Sequence, residues 1–139
     1  MSIAKIMSTR VVSVHMDDSL QSLRELFAAT GFHHLVVVHD SKLQGIISDR
    51  DLMKSISPFV DTLSERKLDR ATLDKKAHQI MTREVITLNP SDSVYSAIEL
   101  FNTHKISCIP IIDTKRHPVG MVSWRDVMKF MQSRVEAKR

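Results

Sequence analysis

A single cysteine, Cys108, leaves no internal disulfide to form and fits a reducing compartment. Three glycines and four prolines among 139 residues are too few for a low-complexity chain, and 42% hydrophobic residues suffice for one ordinary domain or two small ones sharing a core. No apolar run approaches the roughly 20 residues of a membrane-spanning helix. The opening, Met1 to Ser8, has neither a long apolar core nor a cleavage-like ending, so a cytoplasmic protein with no membrane contact is expected. Aromatics suited to base stacking are scarce, with one Trp and one Tyr. The net charge of +4 is spread among interleaved acids, except at Lys75-Lys76 and from Arg134 to Arg139, which reads as a solvated surface and argues against nucleic-acid binding.

What the chain does have is a heptapeptide written twice. Gly45-Ile46-Ile47-Ser48-Asp49-Arg50-Asp51 returns as Gly120-Met121-Val122-Ser123-Trp124-Arg125-Asp126. In each copy a glycine opens a short apolar run, a serine closes it, and an Arg-Asp pair follows. Ser with Asp three residues later is the signature of a helix N-cap with a carboxylate in the first turn. A cap alone explains the Ser and the Asp but has no need to repeat the Gly and the Arg, whereas a pair of equivalent ligand pockets would.

The repetition extends over residues 6–54 and 80–129, with about fifteen identities in ~49 aligned positions and one extra residue in the second copy's turn. Each copy opens on Ile-Met and leads into a β-branched run, Val11 to Val14 and Val85 to Leu88, predicted as strands. Asp17-Asp18-Ser19 and Pro90-Ser91-Asp92-Ser93 predict helix N-termini. Behind them Leu20, Leu23 and Phe27, and Val94, Ala97, Ile98 and Phe101, predict amphipathic helices, the first ending at Gly31 and the second near Lys105. Leu35 to Val38 and Ile109 to Ile112 predict buried strands parallel to the first of each copy. Pro110 cannot donate to a ladder, so one side of its strand is expected to lack a strand partner. Each repeat is then strand, helix, strand, strand, helix, too small to cover its own sheet alone. Between the copies, Pro58 predicts a break after Ile56, and the charged stretch from Asp61 to Lys76 is either a helix laced with pairs such as Glu65 with Arg70, or a mobile linker.

The combined pattern of Ile-Met-Ser/Thr, Val-rich strand, Asp-Ser with amphipathic helix, apolar strand and Gly-x-x-Ser-x-x-Asp resembles the CBS domain pair, or Bateman module, over nearly the whole chain. Ser57-Pro58-Phe59 in the linker looks most like the stand-alone acetoin utilisation accessory type. The resemblance implies an α/β (α+β) fold of two tandem β-α-β-β-α repeats packed sheet to sheet with pseudo-two-fold symmetry, dividing as 1–56, 57–77 and 78–139. It implies a sensor: AMP, ADP, ATP or S-adenosylmethionine as regulatory ligand in clefts between the repeats, no required cofactor, a flat homodimer, and a link to acetoin utilisation. Matched to the motif, Asp51 and Asp126 would grip ribose hydroxyls, which a carboxylate suits because it accepts from both. Ser48 and Ser123 sit at helix N-termini suited to phosphate or ribose oxygens, with Arg50 and Arg125 beside them. His33, His34, Ser107 and Cys108 would line the clefts, and Ser13 and Thr87 would add polar contacts.

The copies differ there. His33 and His34 can complement a polyphosphate, while Ser107 and Cys108 offer little charge, so unequal sites are expected; the pair also reads as a bare strand end. No metal site is expected, because strand alternation sends His34 to the opposite face from His33 and His39. Trp124, in Asp49's place, suits either adenine packing or a dimer contact, and Met16, Met53, Met81, Met121 and Met128 are expected to pack in the core. Catalysis is not expected: Cys108 with His104 is the best nucleophile and base, without a third orienting residue. The alternative to a sensor is a ligand-free dimerisation scaffold acting on a protein partner.

Overall fold

The computed structural model describes residues 1–139. The chain forms two compact units, one of residues 12–85 and one of residues 1–11 together with 86–139. Repeats and units are therefore different partitions of the chain: the opening of each repeat packs with the body of the other.

In the unit of residues 12–85, β1 (Ser13–His15) runs parallel to β2 (His34–His39), and β3 (Lys42–Ser48) pairs antiparallel with β2. The helix α1 (Leu20–Thr30) joins β1 to β2. Ser19 caps its start by accepting the Ser22 N–H, and Gly31 ends it at φ 71°, a left-handed turn that costs glycine no steric strain. The β2–β3 hairpin turns on Asp40 and Ser41, both at positive φ as a two-residue primed turn requires. After β3 come α2 (Asp49–Ser55), α3 (Lys67–Ala71), a 3-10 turn at Thr72–Asp74, and α4 (Ala77–Ile80). The segment after α4 closes the free edge of β3, where Ile46 and Thr82 exchange backbone hydrogen bonds of 3.1 and 2.9 Å. Val14, Leu20, Leu23, Phe27, Leu35, Val37, Ile47, Leu52, Ala77 and Met81 form the core.

The second unit repeats the plan with α5 (Val94–Thr103), β4 (Cys108–Ile112), β5 (Pro118–Ser123) and α6 (Trp124–Ala137). Its free β5 edge is closed by Ser8, which exchanges two 2.9 Å hydrogen bonds with Met121, and a 3-10 turn at Ile3–Lys5 occupies the place that α4 holds in the other unit. Ile3, Ala97, Phe101, Ile109, Ile111, Val122 and Val127 form this core.

Three expectations need correction. The predicted strand Val85 to Leu88 is only a single parallel bridge, Leu88 to Ile111. The reason lies in Pro110: its counterpart Val36 donates to the Val12 carbonyl at 3.1 Å, and proline has no N–H to repeat that bond. Met53 and Met128 are 77% and 60% exposed, because Leu52 and Val127 take the buried position of each helix. Finally, the stretch from Asp61 to Lys76 is helical only in short pieces, α3 among them, although the expected pair of Glu65 with Arg70 forms at 3.2 Å. The Ser57 hydroxyl donates to Asp69 at 2.7 Å, the Ser57 N–H to Thr72 Oγ1 at 3.0 Å, and Arg70 pairs with both Asp61 and Glu65.

Candidate functional site

Each unit gathers one set of the expected site residues where a β-hairpin hands over to a helix. His34 lies opposite Ser48 across β2 and β3, and Cys108 opposite Ser123 across β4 and β5. The Asp49 N–H donates to the His33 carbonyl at 2.9 Å, and the Trp124 N–H to that of Ser107 at 3.3 Å, so the strand entry and the helix start are tied together in both units.

Both motif pairs form reciprocal capping boxes. The Ser48 N–H donates to Asp51 Oδ2 at 2.9 Å and the Asp51 N–H to Ser48 Oγ at 3.1 Å; for Ser123 and Asp126 the distances are 2.8 and 3.4 Å. Both motif pairs thus act as helix caps. The box uses one oxygen of each carboxylate and fixes its orientation, while Oδ1 makes no hydrogen bond and both Asp side chains are half-buried. The Ser123 hydroxyl also donates a hydrogen bond to Asp126 Oδ2 at 3.1 Å, a bond that the Ser48 hydroxyl does not make to Asp51. Arg50 and Arg125 are exposed at the first turn of α2 and α6. Ser13 is exposed on β1 opposite Val36, and Thr87 is half-buried in the segment beside β4; neither is hydrogen-bonded to the motif residues.

The surroundings differ as the two copies differ. His33 Nδ1 lies 2.8 Å from Asp49 Oδ2, and this hydrogen bond holds the Asp49 carboxyl below its ordinary range. Burial lowers the pKa of His34, opposed by the charges of Asp49 and Asp51 and aided by that of His33. In the other unit, burial chiefly pushes the Cys108 thiol up to about 12, with the Asp126 charge adding to it, so it stays protonated at neutral pH and is a poor nucleophile. His104 makes no hydrogen bond to it, and no three His, Cys, Asp or Glu side chains converge as metal ligands. The Trp124 indole donates to the Ile106 carbonyl at 3.0 Å and its ring lies 5.6 Å from that of Phe101. Asp49 is the residue that sequence reasoning missed; its signal was the one unmatched position inside the Ser-x-Arg-Asp motif.

The CBS domain family model matches residues 3–58 and 77–133, and the chain belongs to this family. It is 29% identical over 131 residues to a CBS domain-containing protein of Dictyostelium discoideum, covering 93% of this chain and 90% of that one. It is 30% identical over 124 residues to a homoserine O-acetyltransferase of Methanocorpusculum labreanum, covering 88% of this chain but only 23% of the enzyme. Among solved structures, the CBS domain pair of protein MJ0100 in complex with 5′-methylthioadenosine and S-adenosyl-L-methionine matches at TM-score 0.76 and 26% identity, covering 96% of this chain and 98% of that one. A protein assigned to acetoin utilization (AcuB) from Vibrio cholerae shares the fold at TM-score 0.78 and 19% identity, covering 99% and 95%. No helix is long and apolar enough to cross a membrane.

Proposed function

We propose that the chain is a non-catalytic regulatory module that binds adenosine-containing ligands, AMP, ADP, ATP or S-adenosylmethionine, through Ser48, Arg50 and Asp51 in one unit and Ser123, Arg125 and Asp126 in the other. The observation that carries this is the pair of motif carboxylates, each held by a capping box with one oxygen left free for a ribose hydroxyl. The likeness to a CBS pair that holds two adenosine compounds supports it. The partial match to an acetyltransferase covers none of the roughly three quarters of that enzyme beyond its CBS-like part, and the protonated Cys108 supplies no nucleophile. The acetoin connection rests on sequence resemblance, since 19% identity speaks for the fold alone.

Thermal unfolding with and without millimolar AMP, ADP, ATP and S-adenosylmethionine tests the proposal. A ligand at 100 times its Kd adds about 2.7 kcal/mol, a rise of roughly 2–8 °C in Tm. Asp51→Asn and Asp126→Asn are the fitting variants, since asparagine keeps an acceptor for the capping N–H while losing the charge. No shift with any ligand would favour the scaffold reading. That reading has its own support on α6, where Trp124, Met128, Met131 and Val135 are all exposed at 4-3-4 spacing, the pattern of a helix seam. Self-association through this face is the form the expected homodimer would take.

A further inference from the structure

The capping serines and carboxylates are alike in the two units, but the side chains around them differ in charge and in what they can titrate. Four titratable groups, His33, His34, Asp49 and Asp51, meet with Arg50 at the join of β2, β3 and α2. The matching positions of the other unit hold Ser107, Cys108, Trp124, Asp126 and Arg125. With the imidazoles neutral, the first set carries two negative charges against one positive; a proton on His34 makes it two against two. The second set is balanced, one against one, and its thiol stays protonated across the neutral range.

Resting on the adenosine-ligand reading above, we propose that the half-site around Ser48 and Asp51 selects phosphate-bearing adenosine nucleotides and takes up a proton on His34 as it binds them. The half-site around Ser123 and Asp126 has no imidazole through which to couple binding to protonation. A phosphate approaching the first set meets the carboxylates of Asp49 and Asp51 with only Arg50 to offset them. His33 is already engaged by Asp49 at 2.8 Å. Protonation of His34 cancels the excess negative charge of the set and gives the phosphate a charged donor.

The other neighbours of His34 leave this balance unchanged. Across β3 it faces the uncharged Ser48. On the other side of β2, β1 brings His15 only opposite Val38, four residues along the strand. Beyond β3, the segment after α4 brings Arg83, whose guanidinium donates to the His78 carbonyl at 3.0 Å. Partial burial favours the neutral imidazole of His34 in the free protein, and an arriving phosphate favours the charged one, so binding and protonation are coupled. Around Ser123 a phosphate meets Arg125 set against Asp126, while the half-exposed indole of Trp124 and the uncharged Ser107 and Cys108 add no charge that changes with pH in the neutral range.

The test is titration calorimetry of the full chain at pH 6, 7 and 8, in two buffers of different ionisation heat, with ATP and 5′-methylthioadenosine as probes. ATP affinity should rise about tenfold from pH 8 to pH 6 with roughly one proton taken up, while methylthioadenosine affinity stays level. H34Q should lose most of the ATP dependence; ATP's own titration is common to both proteins and cancels in the comparison. Circular dichroism checks the fold, and H34N gives the same reading if H34Q folds poorly. Equal ATP affinity and no proton uptake at all three pH values, or a dependence retained in both variants, would overturn the inference while leaving an adenosine sensor. Absence of binding by either probe at every pH would end both.

Discussion

Met81 lies over Gly45 so closely that a β-carbon on the glycine would stand 2.6 Å from the methionine sulfur and 2.9 Å from the Thr82 carbonyl oxygen. Met7 and Gly120 repeat the contact, at 2.6 Å from the sulfur and 3.0 Å from the Ser8 carbonyl. The glycine that opens each heptapeptide and the Ile-Met that opens each repeat are therefore two halves of one joint. The joint brings two backbones close enough for the Ile46 to Thr82 and Ser8 to Met121 bridges.

Gly45→Ala and Gly120→Ala should each lower stability by about 1–3 kcal/mol, the usual cost of overpacking a filled site. Denaturant unfolding measures it. In Gly45→Ala/Met81→Ala the loss should fall short of the sum of the single losses, because the residues touch.

Ser48→Ala and Ser123→Ala should each cost about 1 kcal/mol through loss of a helix cap. The double variant should show a near-additive loss, since the two caps share no partner. A loss confined to one variant would mean that only one capping box forms in solution.

Stability should fall as pH drops from about 7 toward 5, before the carboxylates titrate. His34 has a folded pKa below that of the unfolded chain, so the unfolded state binds the proton first and stability present above pH 6.5 is lost as pH falls through the folded value. His34→Gln should flatten Tm against pH in that window. A second decline below about pH 4 should remain, from Asp49, Asp61, Asp69 and Asp113, whose partners hold them below the ordinary range.

Light scattering should give twice the 15.9 kDa chain mass. Met128→Glu, on the exposed seam of α6, should return the single-chain mass without loss of helical signal, because the residue is 60% exposed and no part of the core. A single-chain mass for the unaltered protein would remove self-association through α6.

Much of this was legible in the sequence because it is local. Ser19 and Gly31 bound their helix as their capping chemistry dictates, and the apolar run Leu35 to Val38 is fully buried, as its lack of alternation implies. What escaped reading is pairing over distance. Spacing puts Met81 in the core, but does not show that it and Met7 each serve the other repeat's glycine. The His33 to Asp49 bond joins residues 16 apart, with no pattern beyond a mismatch between copies. The shortening of the second repeat's first strand was half visible: Pro110 announced a missing donor, but only the Val36 to Val12 bond tells which partner loses it.

The crossing of the two openings has a consequence for ancestry. A lone repeat would carry an arm with nothing of its own to close and a sheet edge with nothing to close it. Two such chains trading arms would each be complete. Fusion of their genes would turn that trade into a property of one polypeptide, and neither half, cut away today at residue 56 or 78, would retain the arm that seals its sheet.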